Sequence, residues 1–263
     1  MNNTKKKSPI SWVPTAYFAM GLPFVVLNMV TVLMFKGLEV DDKLITFWTS
    51  LILLPWTLKP LWSPFLELFR TKKFFVIVTQ LITGVTFGLV AFALNLSHFF
   101  SISIALLAIV AFSGATHDIA CDGVYMSELS NEDQAKFIGW QGAFYNIAKI
   151  LATGGLVYLA GYFIELNADA GLLTANKRAW MIILLILSVT MILLGIYHLF
   201  ALPSTQSASS KKTLRSNKEV MKELGQVLMD FFRKTHITYY ICFIILYRFA
   251  EGFVMKIVPL FLK

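Results

Sequence analysis

Residues 180–200 read WMIILLILSVTMILLGIYHLF, and this stretch decides the class of fold. It contains no Lys, Arg, Asp or Glu, and it is as long as the roughly 20 apolar residues that a helix needs to cross a bilayer. A helix that is apolar on every side, with its backbone groups bonded within the helix, suits the lipid interior. The stretch therefore predicts a transmembrane helix.

Other stretches of the same kind occur along the whole chain, which predicts an all-α, polytopic membrane protein. The predicted spans are 12–35, 44–66, 74–96, 99–125, 137–164, 179–202 and 237–262. The first span is too long for the apolar part of a secretory signal, and no Ala-x-Ala cleavage site follows it. We therefore interpret it as a span that is retained.

The composition agrees with this class. Of the 263 residues, 57% are hydrophobic and 14% are charged, and the mean hydropathy is +0.69. Because soluble domains carry about 25% charged residues, these values exclude a soluble α/β enzyme, a disordered tail and a collagen-like fibre. The net charge of +8 resides mainly in short loops, so we predict a lipid bilayer and no nucleic acid as partner.

The distribution of Lys and Arg predicts the orientation. Fourteen of them lie in loops on one predicted side of the membrane and four on the other, with Lys263 a possible fifth. By the positive-inside rule, the N-terminus and the loop 203–236 face the cytoplasm. Lys177 and Arg178 argue weakly for the reverse and are outnumbered.

A weak internal repeat suggests how the spans are grouped. The sequence FAMG at 18–21 in the first span returns as FAEG at 249–252 in the seventh. Many transporters consist of two six-span halves joined by a long loop. We therefore predict a six-span bundle at 1–202, a cytoplasmic loop with an amphipathic helix at 203–236, and the first span of an incomplete second bundle at 237–263.

Charged side chains within spans are costly, so each marks a candidate functional site. Asp118 and Asp122 are four residues apart and share one face of the fourth span. Two carboxylates there repel each other, which favours a proton on one of them. Lys59 lies at a similar depth in the second span and can pair with either. We predict these three as proton-coupling or gate residues; an ion pair that only fixes helix packing is the alternative.

Gln141, Tyr145 and Lys149 follow each other at four-residue intervals and form one polar stripe on the fifth span. Arg248 and Glu251 lie about one turn apart in the seventh. Such groups can face only a wet cavity or other protein groups. We predict that these five residues bind the solute and that Lys149 and Arg248 attract an anionic group. The alternative is an Arg248–Glu251 pair on one helix, with Lys149 bonded to a carbonyl.

Other chemistry finds little support. His117 precedes Asp118, but the three or more ligands that a metal needs do not assemble by spacing. His98, His198 and His236 lie near span ends and are interpreted as interfacial. There is neither a Gly-rich phosphate loop ending in Lys-Ser/Thr nor a nucleophile elbow. We predict no metal, no cofactor and no catalytic residue.

Three segments resemble one family. LPWTLKPLWSP at 54–64 resembles the second span of AmpG-like muropeptide permeases, which share a branch of the major facilitator superfamily with acetyl-coenzyme A transporters. DIACDG at 118–123 resembles that family's fourth-span motif, in which two aspartates recur at this spacing, and 247–263 resembles its seventh span. The turn at 67–73 departs from the family because its glycines are missing.

The resemblance implies a permease of twelve to fourteen helices in the bacterial inner membrane. It implies proton symport by alternating access, with GlcNAc–anhydro-muramyl peptides as solute for cell-wall recycling. We expect a monomer whose partners are protons, lipid and an anionic solute. Two alternatives stay open. One is a truncated, non-transporting remnant; the other is a membrane enzyme that acts on a lipid-linked substrate through His117 and Asp118.

Overall fold

A computed structural model describes residues 7–63, 66, 71–203, 225–226, 229–230, 232–243, 246–247 and 250. Contacts between residues divide the chain into two compact units, Met1–Thr205 and Gln206–Lys263. Within the described ranges the secondary structure is helical, and no strand occurs in them. The all-α prediction is therefore confirmed for these parts of the chain.

The described part of the first unit contains six helices that are long and apolar enough to cross a membrane. They are α1 (Pro9–Gly37), α2 (Asp42–Leu61), α3 (Lys72–Ala93), α4 (Phe99–Glu128), α5 (Asn131–Leu166) and α6 (Leu172–Ala201). They match the first six predicted spans. The largest differences are the starts of α5 and α6, which precede the predicted 137 and 179, because the helices continue beyond their apolar parts into polar sequence.

Helix ends follow ordinary capping chemistry. The Ser130 hydroxyl accepts a hydrogen bond from the Asp133 backbone N–H at 3.1 Å and so begins α5. At the end of α6, the Lys7 ammonium donates to the Phe200 carbonyl oxygen at 2.6 Å, and the Lys73 ammonium donates to the Leu202 carbonyl oxygen at 2.8 Å. These bonds satisfy helix-terminal carbonyls. They also bring the starts of α1 and α3 beside the end of α6.

Three of the six helices are irregular. In α1, a π-helical turn at Val26–Val30 follows Pro23. In α5, a π-helical turn at Leu151–Leu156 contains two glycines. The helix α2 is divided into Asp42–Leu51, Leu54–Leu58 and a 3-10 turn at Lys59–Leu61. Proline lacks the backbone N–H that a continuous helix needs, so Pro55 and Pro60 explain the breaks in α2.

The helices pack in two sets that share α4: α3 lies against α4 and α6, and α1 lies against α4 and α5. Glycines permit close approach between them. A Cβ atom at Gly84 of α3 would lie 2.9 Å from the Ser188 carbonyl oxygen of α6. A Cβ atom at Gly21 of α1 would lie 2.9 Å from the Tyr145 carbonyl oxygen of α5. Small residues at helix crossings are a common basis of packing within membranes.

The second unit is described at fewer positions. Residues 237–243 and 246–247 are helical, and the ring of Phe243 stacks on that of Tyr247 with centroids 6.2 Å apart. These residues belong to the predicted seventh span, 237–262. Apart from residue 250, which is also helical, its remaining part lies outside the described residues, as does most of the predicted amphipathic helix in the loop.

Candidate functional site

Polar side chains interrupt the apolar interior of the first unit at one level of α3 and α4. One buried apolar cluster includes Val76 and Val124, and the other includes Phe87 and Leu107. Between them lie the buried polar residues of what we call the polar layer: Thr79, Gln80 and Thr83 of α3, and Ser113, His117 and Asp118 of α4. Buried polar groups need hydrogen-bond partners, so each member of this layer is informative.

The layer begins with a short hydroxyl chain. The Ser113 hydroxyl donates to the Thr79 carbonyl oxygen at 2.8 Å, and the Thr83 hydroxyl donates to the Ser113 oxygen at 3.1 Å. These bonds satisfy the hydroxyl groups between α3 and α4. This part of the layer has a structural role.

The charged member of the layer is Asp118, which pairs with Lys59 of α2. The Lys59 Nζ atom lies 2.6 Å from Asp118 Oδ2, and Trp56 Nε1 donates to the same oxygen at 2.9 Å. The side chains are 27% exposed for Lys59 and 10% for Asp118. Of the two pairings that the sequence left open for Lys59, the structure contains the one with Asp118.

The other carboxylate oxygen, Asp118 Oδ1, is buried and has no hydrogen-bond partner among the described residues. A buried carboxylate accepts several hydrogen bonds when its site is complete. Among the described residues, only one of the two carboxylate oxygens of Asp118, Oδ2, is therefore hydrogen-bonded. This leaves it able to bind a further donor, which a fully bonded carboxylate is not.

Asp122 has a different environment, although it lies one turn further along α4. It is exposed, and its Oδ1 atom accepts a hydrogen bond from the Tyr17 hydroxyl at 2.8 Å. Gln141 Nε2 in turn donates to the Tyr17 oxygen at 2.9 Å. Among the described residues no ion pair involves Asp122. The three side chains join α1, α4 and α5.

The predicted polar stripe on α5 lies beside Asp122 and Tyr17, and its first member, Gln141, is the residue that bonds Tyr17. Gln141, Tyr145 and Lys149 are all half-buried, and Tyr145 packs along α1 at Gly21. The Lys149 ammonium forms no ion pair or hydrogen bond with the described residues, so the bond to a carbonyl that the sequence left open is not found there. We call Asp122 with these three residues the polar face. The other two predicted solute-binding residues, Arg248 and Glu251, lie outside the described residues.

The histidines correct one interpretation. His198 of α6 is fully buried, where the sequence suggested an interfacial position, because α6 turns this side of its last turn toward α3 and α1. Its Nδ1 atom lies 2.9 Å from Gln80 Oε1, and its Nε2 atom lies 2.9 Å from Thr15 Oγ1. Gln80 also donates from Nε2 to His117 Nε2 at 2.9 Å. His98 is exposed just before α4.

Within the described ranges, no three His, Cys, Asp or Glu side chains come close enough together to hold a metal ion. Cys121 is buried and reduced beside the two aspartates, and Cys242 in the second unit is exposed. The ionisable and polar groups of the polar layer and the polar face, with their partners, are carboxylates, the ammonium groups of Lys59 and Lys149, histidines, amides and hydroxyl groups. Such groups can bind and release protons and can donate hydrogen bonds to a solute.

Sequence reasoning missed Tyr17 and Trp56. An aromatic residue in a span usually belongs to the core, and nothing local marks Tyr17 as the donor to Asp122. For Trp56 a signal existed, because it lies three residues before Lys59 and on the same helix face. Gln80 and Thr15 also escaped notice as partners of the histidines.

No family model matches the chain, and no curated protein or solved structure matches it either.

Proposed function

We propose that the chain is a secondary active transporter that takes up an anionic solute together with protons by alternating access. The observation that carries the proposal is the position of two carboxylates of opposite environment one turn apart on α4. Asp118 is buried and ion-paired, whereas Asp122 is exposed and bonded to a neutral hydroxyl. Ionisable groups within spans are costly and usually line the path of a solute or a proton.

In this proposal Asp122 is the carboxylate that binds and releases the coupling proton. Its contact with Tyr17 tolerates both states, since a hydroxyl can donate to a carboxylate and can accept from a carboxylic acid. The proton on Asp122 would come from water on one side and leave to water on the other. Lys59 and Asp118 act as a gate, because their ion pair ties α2 to α4 and can break when the bundle changes shape.

The polar face would bind the solute. Gln141 and Lys149 are half-buried on α5, and Lys149 brings a positive charge without a counter-ion among the described residues. A charge of this kind attracts a carboxylate or phosphate group of the solute. Lipid cannot satisfy these groups, which supports a water-filled path along this side of the unit.

The resemblance in the second and fourth spans supports a more specific form of the proposal. We propose an AmpG-like branch of the major facilitator superfamily, the bacterial inner membrane as location, and anhydro-muropeptides as solute. The six described spans supply the number of helices that one half of such a transporter has. An orientation with the N-terminus in the cytoplasm follows from the distribution of Lys and Arg.

Uptake of labelled anhydro-muropeptide into right-side-out vesicles tests the proposal. Vesicles with the protein should accumulate the label, and a protonophore should abolish accumulation. Asp122→Asn should abolish proton-driven accumulation but keep counterflow, because exchange of solute does not need net proton movement. Asp169→Asn, at an exposed turn between α5 and α6, is the matched control and should keep full uptake. Uptake equal to that of empty vesicles would refute the transporter and favour the remnant.

A membrane enzyme has less support. The residues that it would need, His117 and Asp118, are buried at 3% and 7% exposure. Both are already engaged, one with Gln80 and the other with Lys59 and Trp56. Turnover of a lipid-linked substrate that disappears in His117→Ala would favour the enzyme over the transporter.

A further inference from the structure

Four side chains from four helices, two of them histidines, form a hydrogen-bonded chain through the interior of the first unit. Gln80 of α3 lies between His117 of α4 and His198 of α6, and Thr15 of α1 continues the chain beyond His198. Each of the three contacts measures 2.9 Å. Gln80 and His198 are fully buried, and His117 is 3% exposed. Neither the Lys59–Asp118 ion pair nor the Asp122 contact uses these groups.

The direction of the bonds fixes the protonation of His117. An amide donates from its nitrogen and accepts at its oxygen. Because Gln80 Nε2 donates to His117 Nε2, that ring nitrogen must be unprotonated and accept through its lone pair. His117 is therefore neutral and carries its proton on Nδ1. Gln80 Oε1 faces His198 Nδ1, which must therefore carry a proton. His198 can then be neutral or charged, since the Thr15 hydroxyl can donate to or accept from its other nitrogen.

Rotation of the Gln80 amide by 180° exchanges its oxygen and nitrogen and reverses its bonds to the two histidines. His117 Nε2 must then carry a proton, and His198 Nδ1 must be a lone pair. His198 is now neutral and donates from Nε2 to Thr15. The Thr15 hydroxyl is free to donate to the Trp12 carbonyl oxygen, which lies 3.2 Å away. In this second arrangement His117, and not His198, can become charged.

An unpartnered atom marks where a proton can bind. His117 Nδ1 is buried and has no hydrogen-bond partner among the described residues. Buried polar atoms without partners are rare in proteins. In the observed arrangement this atom carries the N–H hydrogen, and after the amide rotation it presents a lone pair that can accept a proton. Asp118 Oδ1, on the next residue, also lacks a partner there.

The charges around the chain favour one bound proton over two. Burial disfavours a positive charge on either ring, His198 and Lys59 repel a positive charge on His117, and Lys73 repels one on His198. Lys59 is balanced by Asp118 at 2.6 Å, and Lys73 donates to a backbone carbonyl at the end of α6. The group that α1 places next to His198 is the hydroxyl of Thr15, which carries no charge. A second positive charge would thus be added among positive groups.

We propose that Gln80, His117 and His198 form a site for a single proton, in which the orientation of the Gln80 amide decides which histidine carries it. The chemistry is simple addition and removal of a proton. Water supplies a proton that forms one N–H bond, on His198 Nε2 in the first arrangement or on His117 Nδ1 in the second. Rotation of the amide also requires each neutral ring to lose its Nδ1 proton to water and to take up a proton from water on Nε2. Before the second histidine can be charged, the first must therefore return its added proton to water, both rings must make this exchange, and the amide must rotate.

The value of such a site for transport rests on the proposed function. His198 lies in the last turn of α6, near the water at that end of the bundle, and His117 lies deeper, next to the gate residue Asp118. A single charge that moves between these two positions would couple protonation at the end of α6 to the gate residue Asp118. The binding of the proton, however, can be measured without any transport.

The test is a pH titration of the imidazole nitrogens by NMR, with the full chain in lipid nanodiscs and 15N-labelled histidine. His98→Asn and His236→Asn in the background leave the two signals of interest. Between pH 8 and 5, the fractions of charged His117 and charged His198 should add up to no more than one proton per chain. Two charged rings per chain, or no charged ring at pH 5, would overturn the proposal.

Two variants sharpen the test. Gln80→Glu replaces the amide by a carboxylate, which accepts at both oxygens, so both rings can be charged and the total should rise from one proton to two. Gln134→Glu, at a glutamine that bonds the Leu129 carbonyl near the end of α4, should leave the total at one. A total that does not rise in Gln80→Glu would refute the role of the amide. If uptake assays fail while these titrations succeed, the transporter falls and the proton site remains.

Discussion

The Tyr17 hydroxyl donates a hydrogen bond to Asp122 at 2.8 Å and thereby ties α1 to a carboxylate that remains exposed on α4. One turn earlier, Asp118 is buried against Lys59. The same residue type therefore has two environments on one helix face. An ion pair holds the first carboxylate, whereas the second is exposed and bonded to a neutral hydroxyl, and this contrast motivates the proposed division of roles between gate and proton carrier.

Tyr17→Phe should impair proton-driven uptake while leaving the fold intact. The variant removes the donor to Asp122 and the acceptor for Gln141, but water can replace both bonds because Asp122 is exposed. We expect a loss of stability of about 1 kcal/mol and a fall in uptake of about tenfold. Solute accumulation in vesicles and thermal unfolding of the purified protein measure the two effects.

Tyr158→Phe is the matched control for this prediction. Tyr158 is 75% exposed on α5, so removal of its hydroxyl should change neither uptake nor the unfolding temperature. Normal uptake in Tyr17→Phe would mean that the contact with Asp122 only positions α1.

Breaking the Lys59–Asp118 pair from one side should be far more damaging than removing it entirely. Lys59→Met leaves a buried carboxylate without its cation, for which we expect a loss of about 3 kcal/mol. In the double variant Lys59→Met/Asp118→Leu no charge remains buried, so most of this loss should be recovered. Unfolding measurements in a double-mutant cycle give the coupling between the two residues.

The Lys36–Asp42 pair provides the comparison. Its charged atoms are also 2.6 Å apart, but its side chains are 36% and 51% exposed. Lys36→Met should change stability by less than about 1 kcal/mol, as is usual for surface pairs. Equal effects at the two lysines would show that the burial of the Lys59–Asp118 pair does not matter.

Much of the fold follows from the sequence because lipid imposes a simple rule of length and hydropathy. The six described spans, the shared face of Asp118 and Asp122, and a partner for Lys59 were all predictable in this way. Periodicity shows which residues of a helix share a face, but not which helix lies opposite. For this reason Tyr17 could not be assigned to Asp122, and His198, close to a helix end, was placed at the interface although α3 covers it.

Gly84→Ala should destabilise the contact between α3 and α6. The added methyl group would meet the Ser188 carbonyl oxygen at 2.9 Å, and a backbone atom cannot turn aside. We expect a loss of about 1–3 kcal/mol, which is typical of overpacking in a dense interior. At Gly161 of α5, an added Cβ atom meets nothing within 4 Å. Gly161→Ala should therefore be neutral or slightly stabilising, and a similar loss at both positions would contradict the close packing.

Lys149→Met should reduce uptake and leave stability nearly unchanged. The ammonium forms no ion pair with the described residues, so its removal breaks none there. If Lys149 attracts an anionic group of the solute, uptake should fall by about tenfold to a hundredfold, the range for a hydrogen bond to a charged group. The control is Lys136→Met, near the exposed start of the same helix, which should keep full uptake. Loss of stability without loss of uptake would mean that Lys149 serves only the packing of α5.

The orientation of the bundle can be tested by cysteine labelling in right-side-out vesicles. Asn95 lies in the turn between α3 and α4, and Glu132 lies at the start of α5, at the opposite end of α4; both are exposed. With Cys242→Ser in the background, an impermeant maleimide should label Asn95→Cys directly and Glu132→Cys only after the membrane is permeabilised. The native Cys121 is buried and should stay unlabelled in both cases. The positive-inside rule leads to this result, since the more basic loops lie at the end that contains Glu132. Direct labelling at Glu132→Cys alone would reverse the orientation and place the N-terminus outside.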